Sequence, residues 1–484
     1  MGSDMTYPAL RTWIGGIAEE SPDSDGTWLH DPNTGEALVP SASSSLSQVG
    51  RAVAAAQEAH DDRRWRGLSP ESRAERLGVL ADWLDERVED IARLDALNSG
   101  VPIAVTQLFA GANGATLRDA GRRAAAVGDV RDLPAEQGGV RLHRVPWGPT
   151  ALILPWNAPS AMAVKKTAFA LAAGATVILK PSSFSPWSAQ LLLEGVRAAG
   201  IPDGVVGLVQ GSGGIGRALV ADDRVRAISM TGSTPTGRAI AATASSRFAR
   251  LQLELGSNNA AIVRADADLE STARAVADGV LKLSGQWCEA PRRVLIDRAR
   301  RDEFARMLSA EFERRTIGSS LDQATEVGPV AFAARRDELS AQRDRLARAG
   351  AEVLRVSRVP AHGWFFEPTV AVLDGPGLAE EVFGPMILVG GYDDEDEAVR
   401  LANTGQVGLA GYVFGADEEA AAAVGTRLVA GEVKVNGTSV LDMSPDSAQS
   451  FFGASGLGGH GDDDVLDFFV GKQIVGTDRP GLPL

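Results

Sequence analysis

Cys288 is the only cysteine among 484 residues and stands in SGQWCEAP, residues 284–291. One thiol forms neither an internal disulfide nor a thiolate metal cluster. Two uses remain, a small buried apolar residue or a nucleophile. Gly285 and Pro291 on either side favour a loop that exposes the sulfur. Glu254, 34 positions upstream (288 − 254), interrupts an otherwise apolar strand, LQLELG. Its carboxylate is either solvated or ion-paired, or is partly desolvated with its pKa raised toward the range useful to a base. Asn157 closes LPWN at the end of another apolar run; its amide is a helix N-cap or a fixed donor to a reacting oxygen. A nucleophile, a carboxylate base and a fixed donor are the groups that chemistry at a carbonyl carbon needs.

The elements that position these residues show in the periodicity. From residue 150 onward, TALILPW, ATVILKP, VVGLVQG and VRAISMTG read as strands alternating with helices near 160–173, 186–199, 213–221 and 235–246. A second series follows: NAAIV, a helix over 268–283, RRVLID, a helix over 299–315, and strands near 353, 369, 388, 412 and 433. That alternation means open parallel sheets wrapped by helices, an α/β fold. In such sheets ligands bind at the carboxyl ends of strands, where Asn157, Lys180 and Thr231-Gly232-Ser233 fall. Before residue 150 the spacing predicts helices over 48–64 and 69–97, the second capped by Ser69-Pro70 and ended at Gly100, and a strand over 138–146. The tail 465–475 reads as a last strand, and the Pro-rich end and MGSDM at the start as unstructured. GSGGIG (211–216) matches a dinucleotide fingerprint, but the next strand ends ISMTG without the acid that would hold a ribose. A tight strand-to-helix turn explains that string equally well.

With 44% apolar and 23% charged residues the composition is that of a soluble globular protein, long enough for two or three domains. The net charge of −15 argues against nucleic acid or an anionic membrane as the main partner. No apolar run approaches the ~20 residues that span a bilayer. One cysteine and no secretory segment point to the cytoplasm.

Taken together, LPWNAPS (154–160), VILKPSSFSP (177–186), ISMTGSTPTGR (228–238), LELGSN (253–258), SGQWCEAP (284–291), EEVFGPM (380–386) and GEVKVNG (431–437) resemble the NAD(P)-dependent aldehyde dehydrogenase superfamily. The resemblance covers nearly the whole chain, in order and spacing. It implies two open parallel-sheet α/β domains, a Rossmann-like cofactor domain (6–127 and 147–255) and a catalytic domain (256–445). A small β oligomerisation segment (128–146 and 463–484) would pair its hairpin with the last strand of a neighbour, in a homodimer or homotetramer. It also implies oxidation of an aldehyde to the acid with NAD or NADP and no metal. Cys288 forms the thiohemiacetal, Asn157 and the Cys288 N–H meet the oxyanion, and Glu254 is general base for hydrolysis of the thioester. Lys180, Ser183, Pro155, Trp156, Gly232, Ser233, Glu381 and Phe383 are implied as cofactor-binding.

This chain departs from the resemblance in useful places. Ser183 stands where NAD-preferring relatives carry Glu; without that carboxylate's repulsion of a 2′-phosphate, NADP should be accepted. Ala158 replaces a common Phe and widens the substrate pocket, which Met162, Lys165, Trp287 and Glu289 should also line. Glu289 either pairs with Arg292, Arg293 or Lys165, or, like Lys165, favours a polar or charged aldehyde; a polar, aromatic or bulky substrate is expected. The Gly-rich string near the C-terminus is shortened to FGASGLGGHG (452–461), without the family's Lys and Arg-Glu. Two alternatives stay open: an acyl-transferring or reductive relative, which retention of Glu254 argues against, and a non-catalytic binding relative.

Overall fold

A computed structural model describes residues 7–21, 26–135, 139–373, 381–440, 443–444 and 447–477. The leading MGSDM and the Pro-rich end lie outside them, as do residues 441–442 and 445–446 of the loop after Asn436. Runs such as VILK, apolar on both faces, become strands buried on both faces, as the core of a parallel sheet requires. The first sheet runs Ile17–Glu20, Arg11–Ile14, Val206–Leu208, Val177–Lys180, Thr150–Ile153, Ala227–Gly232, Arg250–Leu255 and Gly456–Leu457, parallel through its centre and antiparallel at both edges. Its connecting helices, Pro159–Ala172, Trp187–Ala198, Gly213–Ala221 and Thr234–Ser245, fall where periodicity predicts them.

Strand order reverses between Thr150–Ile153 and Ala227–Gly232, which hydrogen-bond side by side. The crevice at such a switch point is where open α/β sheets bind ligands, and Asn157 and Thr231 sit at its two lips. The second sheet runs Glu352–Arg355, Thr369–Val372, Met386–Tyr392, Arg293–Asp297, Ala260–Val263, Ala410–Phe414 and Glu432–Val435. The loop that carries Cys288 leaves the helix Leu269–Leu281 and feeds the strand Arg293–Asp297. Apolar residues from both faces of each sheet and the covering helices make the cores.

Four expectations need correction. The helix predicted over 69–97 is two, Pro70–Asp85 and Val88–Ser99, broken where Arg87 leaves helical geometry (φ −124°, ψ 21°). Gly100 does end the second in the left-handed conformation, φ 72°. A 25-residue helix, Ile103–Val127, was not apparent, because glycines weaken its pattern. Gly121 is there for contact: a Cβ on it would lie 2.9 Å from that of Ala74 on the helix Pro70–Asp85. The tail is a helix, Asp462–Phe468, before it is a strand, Val470–Gly476. Asp462, Asp463 and Asp464 in its first turn complement the helix dipole. Lastly, that strand pairs with Val140–Pro146 of its own chain, not a neighbour's, completing a three-stranded sheet with Val130–Leu133.

Candidate active site

Cys288 is held by a strained but over-determined loop. Leu283 (φ 51°), Ser284 (φ 57°) and Gly285 (φ 77°) are successive left-handed residues, costly for the first two. Their surroundings compensate. Ser284 Oγ donates to the Gly100 carbonyl (3.0 Å) and accepts from the Gly328 N–H (2.9 Å). A Cβ at Gly285 would lie 2.1 Å from the Pro385 nitrogen, so only glycine passes there. The buried Arg292 guanidinium donates to the carbonyls of Gly285, Trp287 and Gly384 at 2.7–2.8 Å. Asn259 donates to those of Cys288 (2.8 Å) and Ala290 (3.0 Å).

The thiol of Cys288, half-buried, donates toward Glu254 Oε1 across 3.7 Å. Burial, with the charges of Glu254, Glu289 and Glu381, holds the thiol well above its ordinary pKa. The resting group is therefore a thiol, and Glu254 stands within reach of its proton. Glu254 is 7% exposed on Arg250–Leu255, and its Oε2 accepts from Thr231 Oγ1 at 3.0 Å. The sequence predicts its pKa raised; the outcome is the reverse. Burial does push it up, but the charges of His460, Lys166 and Lys165 and the Thr231 hydrogen bond outweigh burial and leave it below the usual carboxylate range. Asn157 does not cap the helix that follows, whose N-cap is Ala158. Its amide donates to the Gln286 carbonyl at 2.8 Å, and an NH2 group has a second hydrogen to offer.

A cavity of about 300 Å³ opens beside Cys288, Glu254 and Asn157. Ala158, Ala161, Met162 and Lys165 line it at the spacing of one helix face, and Phe109, Leu283, Trp287 and Val440 form an apolar wall. Lys165 lies 3.7 Å from Asp462. Glu289 pairs with none of the cations the sequence offers: Arg292 and Arg293 donate to backbone carbonyls. It sits instead 4.0 Å from His460 Nε2, and burial pushes its pKa up to about 7. Pro155, expected on the cofactor side, lines this cavity.

The remaining predicted cofactor residues lie outside this cavity, on what we term the groove side. Lys180 is buried, its ammonium on the Pro181 carbonyl (3.1 Å), and desolvation brings its pKa down to about 8. Gly216 of the GSGGIG string brings the helix Gly213–Ala221 against Lys180; a Cβ there would be 3.7 Å from the lysine chain. Ser183 is half-buried in the turn that follows Lys180. Phe184 stacks on Phe332 (4.0 Å), which meets Trp156 edge-on (5.2 Å), which meets Phe383 (5.3 Å). This aromatic row joins the Lys180 end to the Glu381 end. Glu381 accepts from the Ser257 N–H (3.2 Å); burial lifts its pKa to about 7 against the pull of Arg292. A Cβ at Gly256 would fall 2.0 Å from Glu381 Oε2, so a larger residue there would displace that carboxylate. Gly232 and Ser233 precede Thr234–Ser245, and the Ser233 side chain makes no cap bond, leaving its first-turn N–H groups to an anion. A buried ammonium, a helix N-terminus and flat aromatic faces fit a dinucleotide.

Three contributors escaped the sequence. Lys166, buried, donates to Ser229 Oγ at 2.8 Å; a second lysine in an otherwise apolar helix was its only signal. Phe332 carries no motif. His460 lines the cavity from the Gly-rich string, where it is the one titratable residue.

The chain matches the Aldehyde dehydrogenase family over residues 20–475. It is 35% identical over 469 residues to a geranial dehydrogenase of Castellaniella defragrans, covering 94% of this chain and 96% of that one. A betaine aldehyde dehydrogenase of Rhizobium etli is 34% identical over 444 residues, covering 89% and 91%. The crystal structure of PnpE from Pseudomonas sp. WBC-3 is similar at a TM-score of 0.91 and 31% identity, over 98% of this chain and 99% of that one. PnpE in complex with nicotinamide adenine dinucleotide matches at 0.91 and 30%, over 98% of each. Likeness of this extent, in sequence and in fold together, is a statement of descent: the chain belongs to the aldehyde dehydrogenase family and is an NAD(P)-dependent aldehyde dehydrogenase.

Proposed function

We propose that the enzyme converts its aldehyde to a free carboxylic acid through covalent attachment to Cys288. The observation that carries this reading is the meeting of Cys288 Sγ with Glu254 Oε1 at 3.7 Å, beside Asn157, at the end of one cavity. Glu254 takes the thiol proton, and the sulfur adds to the carbonyl carbon. The oxyanion that forms is met by the second hydrogen of the Asn157 amide and by the Cys288 N–H, fixed donors of a kind worth ~2.7–4 kcal/mol each. Bound NAD(P)+ supplies the hydride acceptor. Lys180, Ser233, Trp156, Glu381 and Phe383 hold and orient it. Once Glu254 has released the thiol proton to solvent, it draws a proton from the water that cleaves the thioester and passes it to the leaving sulfur, which returns the thiol.

Ser183 supports acceptance of NADP, since no carboxylate stands three residues after Lys180. The substrate is a bulky or aromatic aldehyde with a polar group: the cavity is wide at Ala158, apolar along Phe109 and Trp287, and polar at Glu289 and Lys165. A geranial dehydrogenase among the relatives agrees with bulk. Lys165, beside Asp462, presents an ion pair rather than a lone cation. We propose a cofactor domain of residues 6–127 and 147–255 and a catalytic domain of residues 256–445, supported by the two sheets except that the tail lends the edge strand Gly456–Leu457 to the first. The three-stranded sheet, with Val130, Ile474 and Val475 exposed, is the surface for self-association. Incubating aromatic, amino- and aliphatic aldehydes with each nucleotide and identifying the product tests the reading. Free acid from a bulky aldehyde, with NADP turned over, is expected; acyl-CoA formed on adding coenzyme A, or no acid at all, would overturn it.

A further inference from the structure

His460 stands in GGHG, and its neighbours must be glycine. A Cβ at Gly459 would lie 2.3 Å from the Gln449 carbonyl oxygen, and one at Gly461 2.6 Å from that of Ser447. The backbone thus runs hard against the facing strand and presents a single ring to the cavity. That ring is oriented. Gln449 donates its Nε2 to the Leu409 carbonyl (2.9 Å), which turns its Oε1 to the histidine. His460 Nε2, 2.5 Å from that oxygen, therefore carries a hydrogen, and it lies 4.0 Å from Glu289 Oε1. Phe451 closes the ring from the side, edge-on at 5.4 Å.

The same segment is fastened to the strand of the base. Gly456 pairs with Glu254 and Leu457 with Leu253, and Gln252 Nε2 donates to the Gly459 carbonyl at 2.7 Å. Ser229 Oγ donates to Gln252 Oε1 (2.7 Å) and accepts from Lys166 Nζ (2.8 Å), so the attachment continues to the helix Pro159–Ala172. Among the described residues, Lys165 and Lys166 from that helix, Cys288 and Glu289 from the loop that follows Leu269–Leu281, and Asp462 next to Lys165 are charged or titratable groups around Glu254 and His460. Behind Glu289 stand Glu432 and Lys434.

We propose that His460 is a positioning residue for hydrolysis of the thioester, its oriented ring keeping Glu254 ready to accept a proton from water. The inference rests on the covalent reading above. In that step the water oxygen adds to the carbonyl carbon while one proton passes to Glu254. The carbon–sulfur bond breaks, its electron pair stays on Cys288, and the carboxylic acid leaves with the other proton. His460 acts chiefly on this step: in formation of the acyl enzyme the thiol already directs its proton at Glu254 across 3.7 Å and the oxyanion's donors are Asn157 and the Cys288 N–H, whereas a water has no such fixed hold.

p-Nitrophenyl acetate, which acylates a thiol directly and releases a coloured phenolate, separates the two stages in the full-length enzyme whatever its natural aldehyde. In stopped flow, His460→Leu and His460→Gln should keep the phenolate burst within about twofold and lose roughly tenfold in the steady rate. The acid limb of the steady-rate pH profile should move upward in both. His460→Gln retains a donor to Gln449 without the imidazole, so it carries the test if His460→Leu does not fold. Parent-like steady rates and profiles in His460→Gln would overturn the proposal, as would burst and steady rate falling together. A burst that persists in Cys288→Ser would instead overturn the covalent reading itself.

Discussion

The two sides of Cys288 are built on different principles. On the groove side, Lys180, Glu381 and the row Phe184–Phe332–Trp156–Phe383 offer flat faces, a helix N-terminus and isolated charges, each modified mainly by its own burial. On the cavity side, Glu254, Glu289, His460, Lys165 and Lys166 act on one another as well. Two buried carboxylates show the result. Glu381, whose burial outweighs the Ser257 N–H and the pull of Arg292, is pushed up to about 7, whereas Glu254, desolvated but ringed by cations and a hydroxyl donor, is held down. A recognition groove tolerates independent parts; a site that must pass a proton between sulfur, carboxylate and water needs them coupled.

The largest effect that bears on this contrast is at the boundary itself. Cys288→Ser should lower turnover by at least about a thousandfold while nucleotide binding, followed by fluorescence, is unchanged; loss of both would mean that the two sides are not separable. Glu254→Gln should reduce steady turnover by roughly 10²–10⁴ yet still release one equivalent of reduced nucleotide per site in a burst, placing its main loss after acylation. On the groove side, Ser183→Glu should cut kcat/KM for NADP by about tenfold or more through repulsion of the 2′-phosphate, and leave that for NAD intact. An equal change for both nucleotides would detach Ser183 from the ribose.

The smallest effect is on stability. Glu289 ionises near pH 7 when folded and near its ordinary 4.5 when unfolded, so the folded state binds the extra proton between those values. Its stabilising contribution is full below pH 4.5 and is lost as pH rises through 7. Glu289→Gln should therefore raise the Tm by a few degrees at pH 8 and by little at pH 5, measured by calorimetry. A gain of equal size at both would place the carboxylate's cost elsewhere than in its desolvation.

How far the chain could be read depended on the range of the interactions concerned. The strands and helices from 150 to 315 were legible because apolar alternation is local, and GQWC was legible because Gly285 can hardly be replaced where Pro385 presses on it. The single helix predicted over 69–97 failed at Arg87, and Ile103–Val127 was hidden by glycines, two of which, Gly114 and Gly121, press on the helix Pro70–Asp85. Lys165 was recognised as a pocket residue, but Asp462, its partner, lies in the tail.

Residue identity and near-neighbour spacing were enough to say which groups this protein brings to a carbonyl, on what kind of sheet, and in what family. They could not give the sign of the Glu254 shift, the place of His460, or the partner of Glu289. Those follow from charges that meet through space although they come from residues 165, 254, 289 and 460. Burial magnifies each such encounter by removing the water that would screen it, and no local pattern in the chain records which distant side chain will arrive.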